Sequence, residues 1–419
     1  MGGLISVAAL AGCGTSTSSA ISSGAATSGA ATSGAATSGA ATSGAATSAS
    51  SAAAVQNIHL QLVPSNDPAK LLTLATQLKP FLDSYCKDDG FTFTVDVGAT
   101  YAATTTALAA GQIDGGFLTA SGYAQESIEN PNKVDVLLSA SRAGYKVQAD
   151  DFPGFDAAAK AKQLAAMNGE IGADGNAVSA TNPAYSYKGD QSETQVSYYS
   201  GIIITLRDSA RTALGLSKLD ADGDGKTTIK EIHDAKATIG RMGATSGAGY
   251  IYPTKYLYDN GYTLGFKSKD DYNSLSADDQ AKAVIGVDQT SYPNAVKLLM
   301  TGQIDAACGF MDIRYGSAYV QDGGDYYHDD SLFTKGYTVG ITEPIMNDTL
   351  SVNASVSQAK RDAIKKAFKK AVTDGTKTTA GTAAYLIYQI YSHTGYVDAK
   401  DSDFDSARTM YQWLLEHNS

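Results

Sequence analysis

The feature that most constrains this chain is a duplicated unit. Residues 91–118 read as strand, helix, Gly-Gln-Ile-Asp (111–114) and strand, and residues 282–310 repeat that order around a second Gly-Gln-Ile-Asp at 302–305. Such a unit buries its apolar faces only inside a sheet covered by helices, so two copies predict two similar α/β lobes. Alternating and β-branched runs predict strands over 58–63, 91–97, 113–118 and 134–140 around the first copy. Around the second they predict strands over 201–206, 238–241, 284–287 and 304–310. Helical spacing covers 67–85, 100–110, 155–167, 362–373 and 384–392. Strand–helix alternation predicts parallel, doubly wound sheets, in which ligands sit beyond the carboxyl ends of the strands.

Charge removes several function classes. The 419 residues carry a formal net charge of −11, which disfavours nucleic acid and anionic membrane surfaces as partners. Three cysteines are too few for a disulfide framework. No apolar run reaches the ~18 residues a spanning helix needs. The Zn-protease pattern His-Glu-x-x-His and the esterase pattern Gly-x-Ser-x-Gly are absent, and the five histidines have no metal-ligand spacing. Cys86 and Cys308 read as small buried apolar residues. These residues favour no enzyme class.

The first 54 residues carry no packing signal. Residues 23–47 are five tandem copies of Ser-Gly-Ala-Ala-Thr, which hold nothing large enough to bury and read as a flexible tether. About 40 such residues have an r.m.s. span of roughly 35 Å. Before them, a short apolar stretch closes with Leu10-Ala11-Gly12-Cys13. This resembles a bacterial lipoprotein signal, although no Lys or Arg precedes it. The resemblance implies removal of residues 1–12, lipid on Cys13, and a body tethered by residues 13–54 at the outer face of the cytoplasmic membrane.

The remaining chain divides into a first lobe from 55–145, an insertion at 146–195 with no assigned role, a second lobe over 196–342, and a return to the first lobe with C-terminal helices over 343–419. Within the second lobe, residues 216–235 look inserted. They contain Asp220, Asp222, Asp224, Gly225, Lys226, Thr228 and Glu231 at the spacing of a calcium-binding loop. Carboxylates at positions 1, 3 and 5, the Lys226 carbonyl at 7, Thr228 at 9 and a bidentate Glu231 at 12 supply the hard oxygens that Ca²⁺ prefers. Thr227 stands at position 8, where a branched apolar residue is usual, and no second hand is present to pair with it. The loop therefore reads as a structural clip holding Ca²⁺ within one lobe. A second local signal is the Gly- and Ser-rich stretch Thr245, Ser246, Gly247, Ala248, Gly249 ahead of a helix. Small residues let backbone N–H groups approach an anion there, and the helix dipole favours negative charge.

Taken together, residues 58 to about 415 resemble the solute-binding proteins of ABC importers for phosphate, phosphite and phosphonates. The matching segments are Leu62-Val63-Pro64-Ser65, Ala99-Thr100-Tyr101, Gly111-Gln112-Ile113-Asp114 with Tyr123, Tyr198-Tyr199-Ser200-Gly201, Asp208-Ser209, Ser246 through Pro253, and Gly302-Gln303-Ile304-Asp305 with Asp312. The resemblance implies a type II periplasmic-binding-protein fold: two lobes, two crossovers and a ligand cleft between them. It also implies a small oxyanion ligand, a membrane permease as partner, no nucleic acid and a monomer. Tyr101, Tyr123 and Ser200 match ligand-facing positions, and Asp312 matches a carboxylate that accepts a hydrogen bond from the ligand. Two departures stand out. Ser246-Gly247-Ala248-Gly249 replaces the usual Ser-Thr-Ser-Gly, and Tyr292 replaces a frequent histidine. They leave open another small solute on the same scaffold (a sulfonate, a carboxylate or a cationic metabolite) or a calcium-dependent surface binding protein.

Overall fold

The structure is a computed structural model that describes residues 54–266, 268–316, 319–322, 325–328 and 330–417. The signal segment, Cys13 and the repeat tether lie outside the described residues.

Two mixed sheets carry the fold. The first contains β1 (Gln56–Leu62), β2 (Phe91–Val97), β3 (Gly115–Leu118), β4 (Val134–Tyr145) and β5 (Gln191–Val196). The second contains β6 (Tyr198–Leu206), β7 (Thr238–Arg241), β8 (Thr263–Phe266), β9 (Ala283–Asp288) and β10 (Ala306–Phe310). A two-stranded ribbon, β11 (Tyr319–Asp322) and β12 (Asp325–His328), follows. The chain then runs along the second sheet as β13 (Gly336–Met346) and re-enters the first as β14 (Thr349–Asn353) and β15 (Gly395–Asp398). The orders are β15-β4-β14-β3-β1-β2, with β5 paired to β4, and β13-β6-β10-β7-β9-β8.

The sheets are not wholly parallel, as strand–helix alternation alone predicts. The duplicated cores are parallel: β1 with β2 and β3, and β9 with β7 and β8, with β10 beside β7. Antiparallel pairing comes from strands next to the crossovers and from late returning strands: β6 and β13 in the second sheet, β14 and β15 in the first. A chain that leaves one lobe and returns later must insert strands whose direction the local pattern does not encode. Asn347 ties the two crossovers together. Its amide nitrogen donates to Ala140 O and Val196 O, both at 3.0 Å, and its backbone N–H to Ser197 O at 3.0 Å.

Local chemistry explains the elements. β6 is buried from Tyr199 to Leu206, which is why it reads as a near-continuous apolar run. In β2, Phe91, Phe93 and Val95 alternate inward. The helix of each duplicated unit opens on a hydroxyl cap: Thr100 accepts from Ala103 N–H and Ser291 from Asn294 N–H. Each ends on a glycine with positive φ, Gly111 at 70° and Gly302 at 72°. The two motif aspartates do matching work. Asp114 accepts the His59 N–H of β1 and pairs with Lys360, while Asp305 accepts the Thr238 N–H of β7 and pairs with Arg211, each contact at 2.8 Å. The repeated Gly-Gln-Ile-Asp is thus a structural staple that locks each helix–strand turn to the neighbouring parallel strand.

The 146–195 insertion is stitched into the second sheet. Its helix Ala157–Met167 packs against β13, and Asn168 then mimics a strand: its side chain donates to Thr338 O and accepts from Thr338 N–H, both at 2.8 Å. The calcium-loop segment also belongs to the second lobe, because Leu219, Ile229 and Ile232 are buried with Ile203, Ile239 and Leu264.

Candidate ligand site between the two sheets

A cavity of about 90 Å³ lies where the crossovers and the duplicated helices converge. Tyr101 and Tyr292 are the first residues of the two duplicated helices, and both line it. The two copies of the unit therefore face each other across one space. Burial pushes both phenols upward, so they are neutral hydroxyls at ordinary pH.

Side chains absent from the sequence-derived list form the floor. Arg142, on β4, places Nη2 2.6 Å from Asp348 Oδ2, and its guanidinium sits 4.8 Å over the Tyr199 ring. Asp348 also accepts from His393 Nε2 at 3.2 Å, and His393 Nδ1 meets Tyr396 OH at 3.0 Å. Burial alone raises the Asp348 carboxyl, but the neighbouring Arg142 charge and the His393 contact hold it below its usual value. Burial depresses His393 to about 4, so it is neutral at pH 7 despite the carboxylate beside it. Lys70, in the first turn of the helix Pro68–Cys86, also lines the cavity, its pKa lowered by burial and partly restored by Asp67. The insertion contributes Gln148 and Ala149 to the wall. Tyr145, Tyr198, Tyr199, Tyr315, Tyr388 and Tyr391 surround these groups.

The structure places the sequence-derived residues unevenly. Tyr101 and Tyr292 line the cavity; Ser200, Tyr123, Asp312 and the 245–249 stretch do not. Ser246 Oγ is 2.8 Å from Tyr292 OH and accepts from Gly249 N–H, so this hydroxyl and that amide are engaged within the chain. Gly247 abuts the first lobe, since a Cβ there would lie 3.0 Å from Ser121 Oγ. Thr245 O accepts from Thr119 Oγ1 at 3.2 Å, a further contact between lobes. Ser200 Oγ accepts from Gln148 Nε2 at 3.1 Å. Tyr123 donates to Asp401 at 2.6 Å and packs on Phe404. Asp312 is fully buried, with its carboxylate gripped by Arg314: Nη2 to Oδ2 is 2.6 Å and Nε to Oδ1 is 2.9 Å.

One feature of the missed set was readable in principle. Tyr388 and Tyr391 stand three residues apart in the helix Ala383–Tyr391, the spacing of neighbours on one face. Arg142 and Asp348 are 206 residues apart and had no local signal.

The calcium-type loop closes on itself. The carboxylates of Asp220, Asp222 and Asp224 offer oxygens that all lie within 4.8 Å of one another. Asp220 accepts from the N–H groups of Gly223 and Gly225, and Glu231 from Ala221 N–H, Thr228 N–H and Thr228 Oγ1. Desolvation raises the Glu231 carboxyl, but these backbone donors outweigh it and hold the group below its usual value. Lys226 reaches Glu170 of the insertion at 3.4 Å. Lys226 and Glu170 thereby link the loop to the insertion. The two described cysteines are buried; burial raises the Cys308 thiol to about 12, far from nucleophilic range.

Two mixed sheets joined by twin crossovers, with a cavity lined by polar and aromatic side chains, form the fold of periplasmic-type binding proteins. Residues 60–404 match the family described as ABC transporter, phosphonate, periplasmic substrate-binding protein, and the chain belongs to that family. It is a transport family, whose members pass a small solute to a membrane permease, and not an enzyme family. Among solved structures, the chain is similar to a Xanthomonas citri protein bound to ATP (12% identity, TM-score 0.51, covering 87% of this chain and 99% of that one). It is also similar to a binding-protein component of an ABC phosphonate transporter from Pseudomonas aeruginosa (12%, 0.51, 86% of each chain). A third is PhnD1 from Prochlorococcus marinus with methylphosphonate (10%, 0.50, 86% and 98%). No curated protein matches the sequence significantly. Among the described residues, no helix is long and apolar enough to cross a membrane.

Proposed function

We propose that this protein captures a small phosphorus oxyanion (a phosphonate, phosphite or phosphate) outside the cytoplasm and delivers it to an ABC permease by lobe closure. The observation that carries the reading is the convergence of Tyr101 and Tyr292, one from each duplicated unit, on a cavity that also holds Arg142 and Lys70. Arg142 is paired with the lining carboxylate Asp348 and Lys70 lies near Asp67, so the site offers an anion N–H donors with little net countercharge. Arg142 Nε is buried with no acceptor among the described residues, a donor in need of a partner. The phosphorus assignment is supported by the family and by two similar structures, whose ligands, methylphosphonate and ATP, both carry phosphorus oxyanions. Ligand-facing roles are proposed for Tyr101 and Tyr292. Ser200, Ser246 and Gly249 support the wall from behind, and Asp312 positions Arg314.

Two further elements belong to this reading. Ca²⁺ in the loop from Asp220 to Glu231 clips the second lobe, supported by the convergent carboxylates. Lipid on Cys13 holds the body at the outer face of the cytoplasmic membrane, supported by the residues around that cysteine.

Thermal shift with phosphate, phosphite, methylphosphonate and 2-aminoethylphosphonate tests the function, because a ligand that binds only the folded state raises its stability. At least one compound is expected to raise the melting temperature; no shift with any of them overturns the phosphorus assignment.

A further inference from the structure

The cavity holds a carboxylate where an anion is proposed to bind. Among the described lining residues, Asp348 is the one acid. Its Oδ2 serves both neighbours, Arg142 Nη2 at 2.6 Å and His393 Nε2 at 3.2 Å. Oδ1 takes no hydrogen bond from the described residues and is not among the sealed polar atoms that lack a partner; the side chain keeps 13% of its surface accessible. That oxygen therefore presents its lone pairs to the cavity. Asp312 offers no such atom, because Arg314 holds both of its oxygens.

An ionised carboxylate can only accept. Against a fully deprotonated ligand oxygen it sets lone pair against lone pair and like charge against like charge. Against a P–OH it accepts a short, charge-assisted hydrogen bond. Little cationic charge is left to offset a second negative charge on the ligand. The Arg142 guanidinium is paired with Asp348 and lies 4.8 Å over the Tyr199 ring, and the Lys70 charge is set against Asp67.

The groups that face Asp348 keep their protonation state near neutral pH. Arg142, from β4, stays a cation. His393, between the helix Ala383–Tyr391 and β15, is depressed to about 4 and is neutral. The phenols around the carboxylate are Tyr101 and Tyr292 from the duplicated helices, Tyr199 from β6, Tyr391 from the helix Ala383–Tyr391 and Tyr396 from β15. Burial raises all five. Asp348 itself is held below its usual value. Lys70, lowered by burial, is the lining cation whose loss of charge would imitate a pH effect. Otherwise the proton in question belongs to the ligand.

We infer that the site selects a singly protonated, monoanionic phosphorus oxyanion, with Asp348 Oδ1 accepting the ligand's P–OH and thereby excluding dianions and sulfonates. This rests on the phosphorus reading above and deepens it.

The test is isothermal titration of the purified full chain with phosphite, methylphosphonate and methanesulfonate. At about pH 5.5 methylphosphonate and methanesulfonate carry the same charge and nearly the same shape, and differ in the P–OH. Methylphosphonate is expected to bind roughly thirtyfold or more tightly than methanesulfonate, because a site built to bond a hydroxyl rejects an analogue without it. Raising the pH should weaken both phosphorus ligands by about tenfold per unit once the second proton has left them. Equal affinity for the two isosteres, or a methylphosphonate affinity that does not change up to about pH 8.5, overturns the Asp348 inference and leaves the phosphorus reading intact. Binding of methanesulfonate with neither phosphorus compound, or of no compound, overturns both. Asp348→Asn, whose amide can donate to a deprotonated oxygen, should flatten the pH profile and admit methanesulfonate. A profile that survives this substitution assigns the pH dependence to Lys70 and overturns the inference. Should the variant fail to fold, the two isosteres on the wild-type protein still decide.

Discussion

Arg142 Nη2 lies 2.6 Å from Asp348 Oδ2, joining β4 of the first sheet to the two-residue link through which β13 passes into β14. Both side chains are largely buried. A buried pair adds little over an apolar pair, but breaking it strands a charge. Asp348→Ala is expected to cost about 3–5 kcal/mol in urea unfolding. Adding Arg142→Met in the same chain should recover part of that loss; an Asp348→Ala variant as stable as wild type would show that the pair is not buried in solution.

His393 makes stability pH-dependent. Its folded value is about 4, against an ordinary 6.5. Between those values the unfolded chain takes up a proton that the folded one refuses, so this contribution is full above about pH 6.5 and falls as the pH drops toward 4. Asp348 works the same way at lower pH, because its lowered value means its contribution is lost only as acid protonates it. The His393 slope should approach about 1.4 kcal/mol per pH unit. Urea titrations from pH 7.5 to 4.5 measure it, and His393→Gln should flatten the curve across that window.

Calcium should stabilise the folded body. At a free concentration a hundred times its dissociation constant, Ca²⁺ adds about 2.7 kcal/mol if it binds only the folded state. The melting temperature should rise with CaCl₂ and return with a chelator. Glu231→Gln, which removes the bidentate position, should abolish the response; an identical response in that variant would place the ion elsewhere.

The motif aspartates should matter for stability through different partners. Asp305→Ala leaves Arg211, only 3% exposed, without its carboxylate, whereas Asp114→Ala frees the more accessible Lys360. The first change is expected to cost about 3 kcal/mol or more and the second about 1–2. Chemical denaturation of both variants checks the order.

Cys13→Ser should release the protein from the membrane fraction when it is expressed with an intact secretion signal. Fractionation with immunoblotting reads the outcome, and equal membrane retention of both forms would exclude the lipid anchor.

Much of the architecture was written locally. The strands Phe91–Val97 and Thr238–Arg241 coincide with the ranges read from residue alternation, and the duplicated unit correctly announced two lobes. Period and capping act over a few residues, so one sequence suffices to find them. The direction of β6, β13 and β14 was not legible, because pairing with a returning strand depends on where the chain goes next. The candidate site was legible only at Tyr101 and Tyr292, whose positions at helix starts repeat with the unit. Asp312 read as an available carboxylate, yet Arg314, two residues on, folds back onto it.

The amino-acid sequence by itself therefore determined the duplicated core, the lobes it announces, the acidic loop and the family, since each motif is local and their order along the chain is read directly. Only the tertiary structure decided which of 25 tyrosines line the cavity, that Arg142 and Asp348 meet, and that the insertion supplies part of the wall. Those contacts join residues tens to hundreds of positions apart, and closing such loops is dictated by the packing of whole sheets, not by any local preference.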